Sequence, residues 1–220
     1  MELLDIMKNR HSVRQYIDRK IEADIREQLL DCVSECNEES GLNIQITFDE
    51  PECFSTMMAH YGNFRGVNNY ISLVGKKDKD LEEKCGYYGE KIVLKAQELG
   101  LNTCWVALTY GKKKCKADIA DDEKLICVIA LGYGATQGNE HKNKELSSVC
   151  NCANNMPDWF ENGMQGAMLA PTATNQQKFY FTLDNDKVYL KAGKGFYTKL
   201  DLGIVKYHFE ALSGVKCIIE

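Results

Sequence analysis

The chain has 220 residues, enough for one substantial domain or two small ones. Hydrophobic residues make up 44 % and charged residues 27 %, a balance that supports a buried core, and three prolines exclude a collagen-like or linker-dominated protein. The formal net charge of −5 disfavours bulk nucleic-acid binding, which relies on a basic surface. The longest apolar run, residues 125–131, is too short to span a membrane, and Glu2 and Asp5 are atypical of a signal peptide. We therefore expect a cytoplasmic protein that binds neither nucleic acid nor membrane.

Helical and strand-type apolar spacing alternate along the first half of the chain. Apolar residues three or four positions apart predict a short helix from about residue 3, a second over 22–36 and a long one over 86–99, which Gly100 ends. Alternating or continuous apolar runs predict strands over residues 44–48, 70–75, 103–108 and 125–131.

The second half repeats this order in a shorter form. Residues 136–156 are polar and predict a loop. A helix that contains Trp159 and Met164 then leads through a polar connection to a strand over residues 179–184 and a last helix over 203–214, which aligns with residues 89–100. The repeated order predicts one domain, residues 1–220, built as a pseudo-dimer. Its halves are residues 1–135 and 155–220, joined by a loop over 136–154.

Ten cysteines are many for a chain of this length. Disulfides are typical of secreted proteins, whereas the composition here is that of a cytoplasmic one. The closest pairs, Cys32-x-x-x-Cys36 and Cys150-x-Cys152, do not repeat as Cys-x-x-Cys metal knuckles, so we expect no metal site. Several cysteines lie inside apolar runs, where they act as small hydrophobic residues: Cys104, Cys127 and Cys217. A redox or metal protein that uses the cysteines stays open as an alternative.

Three polar segments could carry chemistry. Arg10-His11-Ser12-x-Arg14 offers charged and neutral donors for a phosphate, although a solvated basic turn has the same composition. In His141-Lys142-Asn143-Lys144 the two lysines point the same way in an extended register, and the alternative is a charged surface loop. Residues 171–177 carry hydroxyls and amides that could bind the edge of a flat heterocycle, or form an ordinary helix-to-strand connection.

Taken together, these segments resemble the nitroreductase family of flavin mononucleotide (FMN) enzymes. That family pairs an Arg-[Arg/His]-Ser-x-[Arg/Lys] start, matched by residues 10–14, with an Ala-Pro-Ser-x-x-Asn-x-Gln-Pro-Trp segment, which residues 170–179 resemble. Residues 101–106 look like its Gly-Leu-Gly-x-Cys-Trp stretch, and residues 129–135 like its Val-x-Gly-Tyr-Pro strand end. Lys142-x-Lys144 is similar to its phosphate loop. The resemblance extends from residue 3 to about residue 213.

The order of the motifs departs from the common family pattern. Typical members carry the proline–asparagine segment a few tens of residues after the arginine segment, but residues 35–41 lack it and the matching copy lies in the second half. Typical members are homodimers, so this order resembles a fused dimer with one intact flavin site, as in a single-chain branch of the family. Lys178-Phe179 replaces Pro-Trp, and no proline follows Tyr133-Gly134.

The resemblance implies an α+β fold with a central mixed or antiparallel sheet flanked by helices. It implies an FMN-dependent oxidoreductase that moves a hydride from NADH or NADPH through flavin N5 to a small acceptor such as a nitroaromatic, quinone or enone. The alternative is a non-catalytic flavin-binding or redox-sensing protein on the same scaffold. The pseudo-dimer implies a monomer or a weak homodimer.

The resemblance also assigns roles to individual residues. Arg10, Ser12, Lys142 and Lys144 would bind the flavin phosphate, His11 the ribityl chain, and Arg14 the pyrimidine end of the ring. The flavin edge near N5 would lie against backbone N–H groups, and the ring would be covered from the second half. The residues implied for these two tasks are Trp105, Val106, Ala107 and Leu108 for the edge, and Pro171, Thr172, Ala173 and Asn175 for the cover. No side chain is expected to act as a catalytic acid or nucleophile.

Some residues receive no catalytic role. His208 lies beside Phe209 in the last predicted helix and is expected to be a hydrogen-bonded interior histidine. Arg65 and Asn69, just before the strand over 70–75, could reach the flavin, but spacing does not place them.

Overall fold

The computed structural model describes residues 2–220 of the chain, which divides into two compact units. The N-terminal unit comprises Asn9–Leu81 and Lys91–Glu140. The C-terminal unit comprises the segment up to Lys8 together with Glu82–Glu90 and His141–Glu220. The relation of residues 1–135 and 155–220 as two halves of a pseudo-dimer stays a prediction.

Residues 2–220 contain six α-helices and seven β-strands, connected by short 3-10 turns. The helices are α1 Leu3–Asn9, α2 Ala23–Ser40, α3 Met57–Tyr61, α4 Leu81–Glu98, α5 Asp158–Leu169 and α6 Thr198–Ser213. The strands are β1 Gln45–Thr47, β2 Asn69–Lys76, β3 Asn102–Val106, β4 Glu123–Gly132, β5 Phe179–Asp184, β6 Lys187–Ala192 and β7 Cys217–Ile219. The predicted α+β class is confirmed.

The N-terminal unit is built on a four-stranded sheet with the order β1-β2-β4-β3 and only antiparallel neighbours. Ile129 of β4 lies opposite Ile71 of β2 on one side and opposite Trp105 of β3 on the other. Strand β2 is buried up to its last residue and β4 is buried over its second half, which explains their apolar sequences. One core cluster of this unit joins the sheet to the loops around it through residues that include Tyr16, Cys53, Phe64, Tyr70, Cys104 and Val128.

The C-terminal unit combines a three-stranded sheet, β5-β6-β7, with the close-packed helices α5 and α6. Strands β5 and β6 are antiparallel, and β7 runs parallel to β6. The helices approach closely because α5 carries glycine where they cross: a Cβ on Gly163 would lie 2.5 Å from the Phe209 ring. The Phe209 ring stacks on Phe181 of β5 at 4.7 Å between centroids, which ties the helices to the sheet.

Several element boundaries differ from the sequence prediction. Helix α2 continues past Cys36 to Ser40, where Gly41 ends it in the left-handed conformation at φ 70°. Helices α4 and α6 begin at Leu81 and Thr198, before the predicted starts at residues 86 and 203. Strand β3 ends at Val106, and the chain bends at residues 107–108.

The hairpin partner of β5 and the last strand were not predicted. β5 and β6 are joined by a two-residue turn in which Asn185 has φ 51°, a conformation that asparagine tolerates well. Asn185-Asp186, followed by the alternating Val188 and Leu190, was the available signal for this hairpin.

Within the described residues no helix is both long and apolar enough to cross a membrane. Residues 2–220 also contain no group of three or more His, Cys, Asp or Glu side chains arranged to hold a metal ion. All ten cysteines are free of disulfide bonds in this structure.

Candidate functional site

In the N-terminal unit the arginine segment lies along the edge strand β3. Ser12 pairs with Thr103 in a parallel bridge, and the Val13 N–H donates to the Thr103 carbonyl at 3.0 Å. This pairing gives the segment an extended backbone, so that alternate side chains point to opposite sides. Arg10 is buried, with 3 % of its surface exposed, whereas Arg14 is exposed.

The basic side chains of this segment act on Cys104, the buried centre of β3. Burial raises the pKa of the Cys104 thiol, and three neighbours oppose that shift. Arg14 and Arg10 lower this pKa through their positive charge, and Ser12 lowers it through a hydrogen bond. Both guanidinium groups therefore act on the same part of β3. A positive field of this kind favours an anionic ligand.

The loop after β4 packs on the same segment. A Cβ on Gly138, which has φ 74°, would lie 2.7 Å from the Cβ of His11, so only glycine fits there. The side chain of Asn102, at the start of β3, holds this loop through two hydrogen bonds. It accepts from the Gly134 N–H at 2.9 Å and donates to Gln137 Oε1 at 3.0 Å. Sequence analysis gave Asn102 no role; the available signal was a polar residue at the start of an apolar strand.

Residues 105–108 continue from β3 into the bend that follows it. Trp105 is half-buried and Val106 is buried, and both are paired with β4. Ala107 and Leu108 lie beyond the last paired residue, so their backbone N–H groups are outside the sheet ladder. Leu108 is 58 % exposed.

The structure gives Arg65 and Asn69 positions in the N-terminal unit. The Arg65 N–H donates to the Arg14 carbonyl, and the Arg65 carbonyl accepts from the Tyr16 N–H, so the Arg65 backbone braces the arginine segment. Asn69 is buried and structural: its side chain accepts from the Asp49 N–H and donates to the Leu131 carbonyl.

In the C-terminal unit the basic loop and the loop over 171–177 are bonded to each other. The Lys142 carbonyl accepts from the side-chain amides of Asn175, at 2.8 Å, and Gln177, at 2.7 Å. Gln177 also holds Lys144: its Oε1 accepts from the Lys144 N–H, and its carbonyl accepts from the Lys144 ammonium, each at 3.0 Å. Both lysine side chains stay exposed. An ammonium carries three N–H donors, so Lys144 keeps two for a ligand.

The loop over 171–177 also holds unusual backbone conformations. Thr174, Asn175 and Gln177 have φ of 50°, 54° and 43°, in the left-handed region that non-glycine residues rarely adopt. Asparagine tolerates this conformation, but at Thr174 and Gln177 it costs about 1–3 kcal/mol each and persists only where surrounding contacts impose it. Strain of this kind clusters at functional sites, so the loop is the strongest local indication of a ligand site in the C-terminal unit.

A buried carboxylate anchors this loop from helix α6. Asp201 is 4 % exposed, and its two oxygens accept from the Ala173 N–H at 2.9 Å and from the Gln176 amide at 2.7 Å. Burial raises the pKa of Asp201 to about 6, while the hydrogen bonds from Gln176 and Ala173 oppose the shift. Asp201 was not predicted to have a role, and Gln177 was included only as a member of the 171–177 segment that could bind a flat heterocycle, not as an anchor.

The structure thus brings the predicted residues together within each unit. In the N-terminal unit the arginine segment pairs with Thr103 of β3, the strand that residues 105–108 continue. The C-terminal unit gathers Lys142, Lys144, Thr172 and Asn175, with the Gln177 N–H donating to the Thr172 hydroxyl at 3.0 Å. His208 is an interior histidine, as predicted: it is fully buried and bonded to the Gly166 carbonyl and to Glu90.

Comparison with solved structures identifies the class of fold. A crystal structure described as "a putative nitroreductase" from Thermotoga maritima has a TM-score of 0.69 at 22 % identity, covering 97 % of this chain and 83 % of that one. A "Putative NADH dehydrogenase/NAD(P)H nitroreductase" from Bacteroides thetaiotaomicron has a TM-score of 0.54 at 20 % identity, covering 70 % and 98 %. A "putative nitroreductase in complex with FMN" from Desulfovibrio desulfuricans has a TM-score of 0.54 at 16 % identity, covering 71 % and 98 %. The fold is that of the nitroreductases.

The family follows from the sequence. The profile of the family described as "Putative TM nitroreductase" matches residues 2–213, and the chain belongs to this family. The predicted resemblance to the nitroreductases is therefore confirmed, and membership supports an oxidoreductase activity. No curated protein matches the sequence.

Proposed function

We propose that this protein is an FMN-dependent oxidoreductase that accepts a hydride from NADH or NADPH and reduces a small, flat acceptor such as a nitroaromatic, quinone or enone. The family assignment supports the oxidoreductase class. The names of two proteins with the same fold, one in complex with FMN and one an NAD(P)H nitroreductase, support the choice of cofactor and reductant.

The observation that carries the proposal is the strained loop over 171–177, bonded to the basic loop through Gln177. This arrangement holds hydroxyls, amides and two exposed lysines in one part of the C-terminal unit. The donor set fits FMN, because the cofactor combines an anionic phosphate with a flat ring whose edge has hydrogen-bonding groups. Bound FMN would supply the hydride-transfer chemistry, which explains why the proposed site needs no catalytic acid or nucleophile.

In the C-terminal unit, Lys142 and Lys144 bind the phosphate. Asn175 and Gln177 hold the Lys142 carbonyl, and Gln177 holds both the N–H and the ammonium of Lys144, so the backbone of the basic loop is fixed before the ligand arrives. Preorganisation of this kind reduces the entropy lost on binding. Pro171, Thr172, Ala173 and Asn175 cover the ring, and the bonds to Asp201 keep that loop in its strained shape.

In the N-terminal unit, Arg10 and Ser12 bind the phosphate and His11 the ribityl chain. Arg14 lies at the pyrimidine end of the ring, where its positive charge stabilises the negative charge that reduction adds. The segment Trp105, Val106, Ala107 and Leu108 presents backbone N–H groups to the N5 edge. Two of these residues lie beyond the paired part of β3, so their donors remain available to a ligand.

An exposed apolar surface in the N-terminal unit supports a small aromatic acceptor. Leu108 is exposed, and helix α3 exposes Met57 and Tyr61, at 87 % and 84 %. The end of α3 lies against the residue after Leu108: a Cβ on Gly62 would be 2.5 Å from Thr109 Oγ1. Large exposed apolar side chains gathered in one place are typical of binding surfaces.

The test is to measure flavin content and turnover on the purified, FMN-reconstituted chain. We expect one FMN per chain, a yellow protein that NADH or NADPH bleaches without oxygen, and reoxidation by a nitroaromatic or quinone. Replacing Lys144 by alanine is expected to weaken FMN binding about tenfold, because it removes one charge-assisted contact. Lys191→Ala, at an exposed lysine of β6, is the matched control and should leave binding unchanged.

Each other outcome has a defined meaning. A protein that binds no flavin contradicts the proposal. Two FMN per chain contradicts the prediction of a single intact site. Flavin binding without turnover of any acceptor favours the alternative of a non-catalytic flavin-binding or redox-sensing protein.

A further inference from the structure

Two cysteines meet where two short turns of the N-terminal unit pack together. Cys53 belongs to the 3-10 turn Glu52–Phe54, and Cys115 directly follows the turn Lys112–Lys114. The Gly111 N–H donates to the Cys53 carbonyl at 2.7 Å, and the Cys115 N–H donates to the Gly111 carbonyl at 3.1 Å. These bonds connect the backbones of the two cysteines through a single residue, and an ion pair between Lys114 and Glu52 at 3.2 Å adds to them.

The two thiols shift each other's pKa in opposite directions. Donation by the Cys53 thiol is the largest cause that lowers the pKa of Cys115; burial opposes it, and Ser72 and the Ala117 N–H add further hydrogen bonds. The Ser72 hydroxyl lies 3.5 Å from the Cys115 sulfur. The same contact, followed by burial, raises the pKa of Cys53. Cys115 is therefore the thiolate of the pair and Cys53 the thiol that supports it.

The solvent exposure of the two sulfurs also differs, and the more exposed one is the thiolate. Cys115 is half-buried, so a small reagent can reach it, whereas Cys53 is fully buried. A reactive thiolate beside a covered partner thiol is the arrangement in which oxidation of the first sulfur is resolved by the second.

Other cysteines of the chain lack this combination. Cys152 is also half-buried, but burial, then the charge and hydrogen bond of Cys150, raise the pKa of Cys152. Cys32 and Cys36 share a hydrogen bond, but both lie buried on helix α2. Cys152 is therefore a natural control for exposure without activation.

We propose that Cys53 and Cys115 form a hydroperoxide-reactive dithiol site that closes reversibly to a disulfide. The proposal stands on the N-terminal unit alone and does not depend on the flavin.

The chemistry balances with hydrogen peroxide as the oxidant. The Cys115 thiolate attacks one peroxide oxygen, an S–O bond forms as the O–O bond breaks, and the departing hydroxide takes a proton to become water. The Cys53 sulfur then attacks the Cys115 sulfur, so that an S–S bond forms and the S–O bond breaks. The second hydroxide leaves with the proton of Cys53 as water. The two thiols lose two electrons and two hydrogens, and one peroxide becomes two waters.

The test is limiting peroxide added to the full-length wild-type protein without any nicotinamide reductant, followed by acid quench and peptide mapping. Cleavage at both glutamate and basic residues separates Cys53 from Cys32 and Cys36, because Glu52 directly precedes Cys53 and Lys114 and Lys116 flank Cys115. We expect a linked Cys53–Cys115 peptide pair that a dithiol reductant reverses. At neutral pH Cys115 should be alkylated at least about tenfold faster than Cys152, since each pKa unit changes the thiolate fraction about tenfold.

Two variants make the result decisive. Cys53→Ala removes both the resolving sulfur and the largest cause that lowers the pKa of Cys115, so Cys115 should be oxidised more slowly and stop at a sulfenic acid or more oxidised forms. Cys152→Ser should leave the linked pair unchanged. The proposal is overturned if Cys115 of the wild type is no more reactive than Cys152. It is also overturned if peroxide oxidises Cys115 while Cys53 stays reduced, or links Cys115 to another cysteine. The outcomes that overturn the proposal are all measured on the wild-type protein, so they do not depend on whether a variant folds. None of them tests flavin binding.

Discussion

The side-chain amide of Gln177 donates a hydrogen bond to the main-chain carbonyl of Lys142 at 2.7 Å. Through this bond, and through the contacts of Gln177 with Lys144, the loop over 171–177 and the basic loop are held together within the C-terminal unit. Gln177 is only 3 % exposed, so its bonds are shielded from competition with water. Gln177 is therefore expected to set the geometry of the proposed phosphate contacts without being required to touch the ligand.

Replacing Gln177 by leucine is expected to lower both stability and FMN affinity. It removes the acceptor of the Lys144 N–H and leaves the Lys142 carbonyl with the Asn175 amide, and each lost hydrogen bond costs about 0.5–1.5 kcal/mol. We expect the free energy of unfolding to fall by about 2 kcal/mol and the FMN dissociation constant to rise more than about tenfold. Denaturant melts and fluorescence titration measure the two effects. Gln165→Leu, at an exposed glutamine of α5, controls for the change in composition. A Gln177→Leu protein with wild-type FMN affinity would contradict the anchoring role.

Asp201 is expected to make FMN binding depend on pH. Above its pKa of about 6 the carboxylate accepts from both Ala173 and Gln176. As pH falls through 6 it gains a proton, and we expect one of these two bonds to be lost. We expect the FMN dissociation constant to rise about three- to tenfold between pH 7 and pH 5 through loss of this bond. Because the FMN phosphate titrates in the same range, the measured quantity is the difference from Asp201→Asn. The variant should lack the Asp201 contribution, and equal pH profiles would count against it.

The Asp201 carboxyl is expected to affect folding stability in the opposite direction: lower pH weakens FMN binding but favours the folded state. Its folded pKa, about 6, lies above the ordinary value of 3.8, so the folded state binds the proton more tightly. The stabilising contribution of Asp201 is therefore complete below pH 3.8 and is lost as pH rises through 6. The unfolding free energy of the wild type, relative to Asp201→Asn, should fall over that window, as measured by urea melts at a series of pH values. A difference that stays flat from pH 4 to pH 7 would show that the Asp201 pKa is not raised.

Arg14 is expected to tune the reduction potential of the bound flavin. Removing its charge with Arg14→Gln should make reduction less favourable by about 1.4 kcal/mol, which is about 30 mV for a two-electron couple. Anaerobic dye-linked titration measures this potential. Arg14→Lys, which keeps the charge, should recover most of the lost potential. An unchanged potential in Arg14→Gln would place Arg14 away from the ring.

Leu108 is expected to affect the acceptor more than the reductant. Leu108→Lys puts a charge on the exposed apolar surface beside α3, and burying a leucine-sized contact is worth about 1.5–3 kcal/mol when complete. Because Leu108 is 58 % exposed, we expect a smaller effect: a rise of about fivefold in the KM for an aromatic acceptor, with little change for the nicotinamide. Steady-state kinetics with each substrate varied separately measures the split. Equal changes in both values would argue against an acceptor surface at Leu108.

Local sequence patterns were sufficient where a single physical signal dominated. Continuous apolar runs identified β2 and β4 because β2 is buried along nearly its whole length and β4 is buried over its second half. The arginine and lysine segments could be recognised because charged donors close together in sequence are close together in space. Strand β6 was missed because only two of its residues, Val188 and Leu190, are buried, and β7 was missed because it has only three residues.

The sequence by itself determined the family, the α+β class and the residue types available for a flavin site, because all three depend on composition and local order. Only the tertiary structure showed that Asp201 of helix α6 anchors residues 173 and 176, and that Cys115 meets Cys53. Both contacts join positions that are far apart in the chain. Nothing in the residues around either partner distinguishes them, because burial and hydrogen bonding arise from neighbours that folding alone brings close.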